Sequence, residues 1–133
     1  MDQVDYENWK NLRSQFKYDV FLICPVREAS WDQKFKMEAY IAGLESLGKK
    51  VYYPARDTNQ VDDNGYRICE DNRRAIFYSR EVHIFFDPGS KGSLFDLGIA
   101  FALDKSLTIV NLEDLEPTPG KSFTNMIMAW SKL

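Results

Sequence analysis

The densest run of chemistry-bearing residues in the chain is FFDPGSKGSLFDLGIAFAL, residues 85–103. Gly89, Ser90, Gly92 and Ser93 make a small-residue turn between an apolar run of strand length and a helix predicted over 94–103. Exposed backbone N–H groups and the helix dipole at such a junction favour an anion such as phosphate, and the serine hydroxyls add donors. The same residues also suit the turn on geometric grounds alone. The spacing matches neither GxxxxGK[ST] nor GxGxxG. Asp96, six residues past Ser90, is expected in the first turn of that helix. There its carboxylate would share the mouth of a pocket with whatever the turn binds, although an acid near a helix N-terminus also simply complements the dipole.

Other candidates are read singly. Asp87 ends the strand run and could hold a ribose hydroxyl or cap the turn through an Asx-type bond. Arg27 follows the first strand and is either a surface residue or an anion contact; guanidinium can grip phosphate with two donors at once. His83 alternates with apolar partners in VHIFF and reads as a satisfied core residue. Cys24 precedes Pro25 and reads as packing. Trp31 reads first as core and second as a base-stacking ring, and Tyr52, Tyr53, Phe85 and Phe86 read as core.

These residues sit in 133 residues with 44% hydrophobic and 14% aromatic content, enough for one domain over 1–133 with a real core. Seventeen Lys and Arg against 20 Asp and Glu leave a net charge of −3, which opposes bulk binding to nucleic acid or anionic membrane. Two cysteines outside any CxxC spacing point to a reduced, cytoplasmic protein. One histidine and two scattered cysteines argue against a zinc site. No metal or other cofactor is expected. The first residues lack the apolar segment of a signal peptide, and no run approaches the roughly 20 residues needed to span a bilayer.

The elements that must position the candidates alternate. Trp9, Leu12 and Phe16 predict an amphipathic helix over 1–16. A strand over 18–24 follows, then a helix capped by Ser30, with Trp31, Phe35, Tyr40, Ile41, Leu44 and Leu47 as its apolar face and Gly48 as its stop. Strand 50–54, loop 57–65, and a helix over 66–78 with Ile68, Ala75 and Ile76 inward come next. Strand 81–87, the helix over 94–103 with small residues at Gly98, Ala100 and Ala102 against the sheet, and strand 106–111 complete a core over 18–111. A proline-containing connection then leads to a terminal helix over 121–133. This alternation predicts an α/β fold: a Rossmann-like, flavodoxin-like parallel sheet of four to five strands with helices on both faces. In such sheets ligands bind outside the carboxyl ends of the strands, at the switch point. Phe123, Met126, Ile127, Met128 and Trp130 make the terminal helix apolar on more than one face, which predicts a homodimer or higher homo-oligomer.

The segment SxGSxFDLGIAFALDK, residues 90–105, resembles the signature of the nucleoside 2-deoxyribosyltransferase superfamily, a glycine-rich turn leading into (E/D)-L-G-x-A-x-A-x-x-K. FLICPVR, residues 21–27, resembles that family's first strand and its sugar- or phosphate-facing loop. ICEDNRRAI, residues 68–76, resembles its helix bearing a second, acid/base carboxylate. The similarity spans roughly residues 18–111. It is nearest to the branch that hydrolyses 2′-deoxynucleoside 5′-monophosphates, where Ser90 and Arg27 match the phosphate-holding positions. The resemblance implies Asp96 as nucleophile and Asp71 or its neighbour as acid/base. It also implies a homodimer in which the terminal helix or Trp9 lines the partner's pocket. The chemistry suits carboxylates, because cleaving an N-glycosidic bond builds positive charge on the sugar while the departing base needs a proton.

Two departures shape the expectation. The transferases carry Glu where this chain has Asp96, about 1.5 Å shorter in reach; Asp96 could attack, orient water or bond a ribose hydroxyl. An ungapped register puts the family's acid at Asn72, with Asp71 one place off, and neighbours about 100° apart on a helix cannot both face a pocket. The expected activity is therefore hydrolysis or base transfer on a (deoxy)nucleoside or its 5′-monophosphate. The alternative, which an inward Asn72 would favour, is a non-catalytic nucleotide-binding module, a sensor or sequestering protein. A phosphoacceptor domain is disfavoured, since Cys24, Pro25 and Val26 stand where its acidic pair would be.

Overall fold

The computed structural model of the protein describes residues 16–133. The helix expected over 1–16 and the role suggested for Trp9 fall outside those residues, apart from Phe16, which is not helical. Four strands, Tyr18–Ile23 (β1), Val51–Tyr52 (β2), Ser79–Ile84 (β3) and Ser106–Ile109 (β4), form one wholly parallel sheet in the order β2-β1-β3-β4. The fold is thus α/β and Rossmann-like, with four strands among the described residues. The β1–β3 register pairs Phe21 with Val82 and Ile23 with Ile84, and β3–β4 pairs Ile84 with Ile109. One residue of slip would turn these side chains onto the other face.

Each face has its own core. Helix Trp31–Ser46 (α1) covers one face, packing Met37 and Ile41 on Val20, Leu22 and Val51. Helices Tyr66–Phe77 (α3), Lys91–Ala102 (α4) and Phe123–Ser131 (α5) cover the other, where Ile76, Leu97, Ala100, Ile127 and Trp130 meet Phe21, Ile23, Ile84 and Ile109. A single turn of helix, Pro54–Asp57 (α2), starts the segment after β2, where loop alone was expected from Asp57 onward; Pro54 suits a first helical turn.

Local chemistry sets the element ends. Ser30 accepts from the Gln33 N–H at 3.1 Å while the Gln33 side chain accepts from the Ser30 N–H at 2.9 Å, a reciprocal capping box. Gly48, at φ +84°, takes the left-handed conformation that ends the segment after α1.

Five expectations about facing fail. Trp31 is 90% exposed and Phe35 73%, and Leu47 is also exposed, although all three belong to the expected apolar face. Apolar residues occur around the whole circumference of α1, so contact with the sheet rather than periodicity selects Met37 and Ile41. Gly98 and Ala102 likewise face away from the sheet, which Ala100 and Leu97 meet instead. In α3, Ala75 and Ile76 are buried as expected and Ile68 is half-buried. In α5, Ile127 and Trp130 are buried, Met126 and Met128 half-buried, and Phe123 exposed. Among the described residues no helix is long and apolar enough to cross a membrane.

Candidate functional site

The chain leaves β1 toward β2 on one side and β3 toward β4 on the other, so the switch point lies between the carboxyl ends of β1 and β3. The loops there carry Arg27 and the segment from Asp87 to Ser90. Helix α4 begins at Lys91, three residues earlier than expected, because Ser90 caps it: its hydroxyl oxygen accepts from the Ser93 N–H at 3.2 Å. Gly92 and Ser93 therefore lie in the first helical turn rather than in the loop, and Asp96 moves from the first turn to the second. The Ser90 hydroxyl donates to Ser93 Oγ at 2.9 Å, so both hydroxyls are already engaged within the turn. The N–H groups of Lys91 and Gly92 have no intramolecular partner among the described residues and open toward solvent. A side chain at Gly92 would meet nothing, which leaves space above those donors. Arg27 is exposed beside this end of the sheet.

Asp87 takes the capping role. Its Oδ1 accepts from the Gly89 N–H at 2.9 Å and its Oδ2 from the Gln33 side chain at 3.3 Å, which ties the β3 loop to the first turn of α1. Space at Gly89 is tight, because a Cβ would stand 3.3 Å from Asp87 Oδ1.

Asp96 is different in kind. It is only 9% exposed, and no hydrogen bond or ion pair to it exists among the described residues. No fully buried side-chain polar atom there lacks a partner, so the unpartnered Asp96 oxygens must reach solvent from their recess. Burial pushes its carboxyl up to about 7. Its charge acts on the Cys24 thiol at the end of β1 and on Cys69 in the first turn of α3, which locates it at the carboxyl end of the sheet between those elements. Burial first, and then Asp96, pushes Cys24 up to about 12. A thiol held protonated there is packing, as expected.

Helix α3 decides between the two neighbouring candidates. Asp71 is half-buried and pairs with Arg67 at 2.7 Å, one helical turn back. Asn72 is buried, three residues on from Cys69 and on the same side of α3. Its Oδ1 accepts from the Thr58 hydroxyl at 2.7 Å, and Thr58 shares a 2.6 Å bond with the Tyr52 hydroxyl. With Oδ1 so fixed, the Asn72 amide N–H groups have no partner among the described residues, and they too reach solvent. The structure thus brings Asn72, not Asp71, to the inner side of α3. Thr58 and Tyr52, which hold it, carried no sequence signal beyond a polar residue at a turn and a strand tyrosine.

Two grooves open on the surface. One, of about 480 Å³, opens at the carboxyl ends of β3 and β4 between α1 and α5, lined among others by Ser30, Gln33, Lys36, Asp87, Asn111 and Asp114. It reaches Asp87 but not Asp96. Another, of about 500 Å³, is an apolar channel between α3 and α4, lined by Arg73, Phe77, Ile99 and Leu103. It lies away from the switch point.

Two residues prove structural. His83 is held at both ring nitrogens, by Tyr40 at 2.6 Å and Glu81 at 2.9 Å, as a satisfied core residue should be. Lys105, the last residue of the signature-like segment, donates to the carbonyls of Phe77 and Ser79 at 3.0 and 2.6 Å, tying the end of α3 to the start of β3. Among the described residues, no group of three or more His, Cys, Asp or Glu could hold a metal ion. No family model matches the chain, and no curated protein matches it.

Proposed function

We propose that the protein cleaves or exchanges the N-glycosidic bond of a (deoxy)nucleoside or its 5′-monophosphate, with Asp96 as the group that meets the sugar. One observation carries this reading: a carboxyl at the carboxyl end of β1 that is nine-tenths buried yet has no partner among the described residues. Burying such a group without a partner costs stability, and perturbed groups of this kind concentrate at functional sites. As a carboxylate it stabilises positive charge at the anomeric carbon or bonds to it; as an acid it offers a proton. The free N–H groups of Lys91 and Gly92, with Arg27 nearby, suit a 5′-phosphate. In this reading the protein is cytoplasmic, needs no metal or redox cofactor, and works as a homodimer.

Asn72 favours a second reading, nucleotide binding without turnover. An amide can donate a hydrogen bond to a base but cannot give it a proton, and Asp71 is held in an ion pair with Arg67. Incubation with a panel of deoxynucleosides, ribonucleosides and their monophosphates, followed by chromatography for free base, separates the two. Base release that is lost in Asp96→Asn supports the glycosidase. Tight binding by calorimetry with no release over hours supports the module and overturns the glycosidase.

A further inference from the structure

Resting on the glycosidic reading of Asp96, we propose that the preferred substrate is an N-glycoside whose base carries a fixed positive charge, such as a pyridinium or N-alkylated purinium riboside or its 5′-monophosphate. Leaving groups differ in what they require. A neutral purine or pyrimidine departs as an anion unless an acid protonates it, so a site for such substrates needs a proton donor facing the base as well as a carboxylate facing the sugar. A cationic base needs none, because the electron pair of the breaking C1′–N bond neutralises the ring nitrogen.

Among the described residues, Asp96 is the one buried carboxyl. Among the described residues, Asp71 is committed to Arg67, Asp87 to Gly89 and Gln33, and Asp62 to the Ile68 N–H at 3.1 Å, while Glu28 in the loop after β1 lies out in solvent. His83 is held on both nitrogens. The position facing inward from α3 is Asn72, fixed by Thr58 and Tyr52 so that its amide donor is presented and its oxygen is not. That donor fits a carbonyl or carboxamide oxygen on the base. The unpartnered Asp96 carboxyl supplies the anionic partner that a cationic ring would otherwise lose on leaving water.

The step balances without a further reactant. The Asp96 carboxylate oxygen bonds to C1′ as the C1′–N bond breaks, and the base leaves neutral. Water then attacks C1′, the ester C–O bond breaks, the carboxylate is restored, and one proton passes to solvent. Charge is conserved, because a cation and water become a neutral base, a sugar hemiacetal and a proton.

The test compares a 3-carbamoylpyridinium riboside 5′-monophosphate with its sugar-matched hypoxanthine counterpart, following base release by chromatography with the full-length protein. The expected result is release from the pyridinium probe at least a hundredfold faster, lost in Asp96→Asn. In Asn72→Asp, checked for folding by thermal melting, the cationic-to-neutral rate ratio falls at least tenfold, because the installed acid can protonate the neutral base. Equal or faster cleavage of the hypoxanthine probe by the wild-type protein overturns this inference while leaving the glycosidic reading standing. Cleavage of neither probe, together with silence across the nucleoside panel, overturns both.

Discussion

His83 and Asp96 are both buried titratable side chains, 13 positions apart in the chain, and the fold treats them in opposite ways. Both nitrogens of His83 are bonded, to a tyrosine from α1 and a glutamate from its own strand, which closes the polar group inside the sheet–helix contact. Asp96 is buried to a similar degree with no hydrogen bond or ion pair among the described residues, at the end of the sheet where α/β proteins bind ligands. A satisfied buried polar group adds to the uniqueness of the core, whereas an open one weakens the fold and keeps its chemistry available. The comparison separates residues that hold the structure from those the structure holds ready.

The sharpest way to break it is Asp96→Asn. If Asp96 meets the sugar, base release falls by about a thousandfold or more, while the thermal melt is unchanged or higher, because the amide removes a buried ionisable group. A melt that drops with activity would make Asp96 a structural residue like His83.

Next in size is the pH dependence of folding. Burial raises the folded-state pKa of Asp96 to about 7, above its ordinary unfolded value, so the folded chain holds that proton more tightly. This contribution is fully present below about pH 4 and is lost as pH rises through about 7, amounting to at most roughly 4 kcal/mol. Denaturant unfolding of wild type and Asp96→Asn between pH 4 and 8 should show a stability difference that grows in the variant's favour as pH rises. A difference that stays flat would mean that Asp96 titrates normally.

The opposite arm of the comparison predicts a smaller loss. Tyr40→Phe leaves His83 Nδ1 buried without its partner and should cost about 1–2 kcal/mol of stability by chemical denaturation. Ligand affinity measured by calorimetry should not change. An affinity loss would join the two regions into one site. Smallest is Arg27→Ala, which should weaken a 5′-monophosphate about tenfold relative to the parent nucleoside; equal weakening of both would remove the phosphate assignment.

Much of this molecule is legible along the chain, because the relevant signals are local. The apolar run Tyr18–Ile23 is a strand wherever it is buried on both faces, and the Ser30–Gln33 box fixes a helix start from two side chains three residues apart. The glycine-serine turn before α4 and the Asx role of Asp87 are equally local, needing only neighbours within a few positions. Even the burial of His83 follows from its place within an apolar strand.

Facing is another matter. Apolar residues lie all round α1, so nothing in its periodicity could select Met37 and Ile41 over Trp31 and Phe35; the contact with Val20 and Leu22 does so. Asp71 and Asn72 are adjacent, and only the rotation of α3, fixed by Ala75 and Ile76 against the sheet, buries the amide and leaves the acid half-buried beside Arg67. Strand identity, caps and turns are free energies of a few residues and are therefore written in order along the chain. Which side of a helix meets the interior, and whether a buried carboxyl finds a partner, depends on groups brought together from distant positions. That choice belongs to the packed structure.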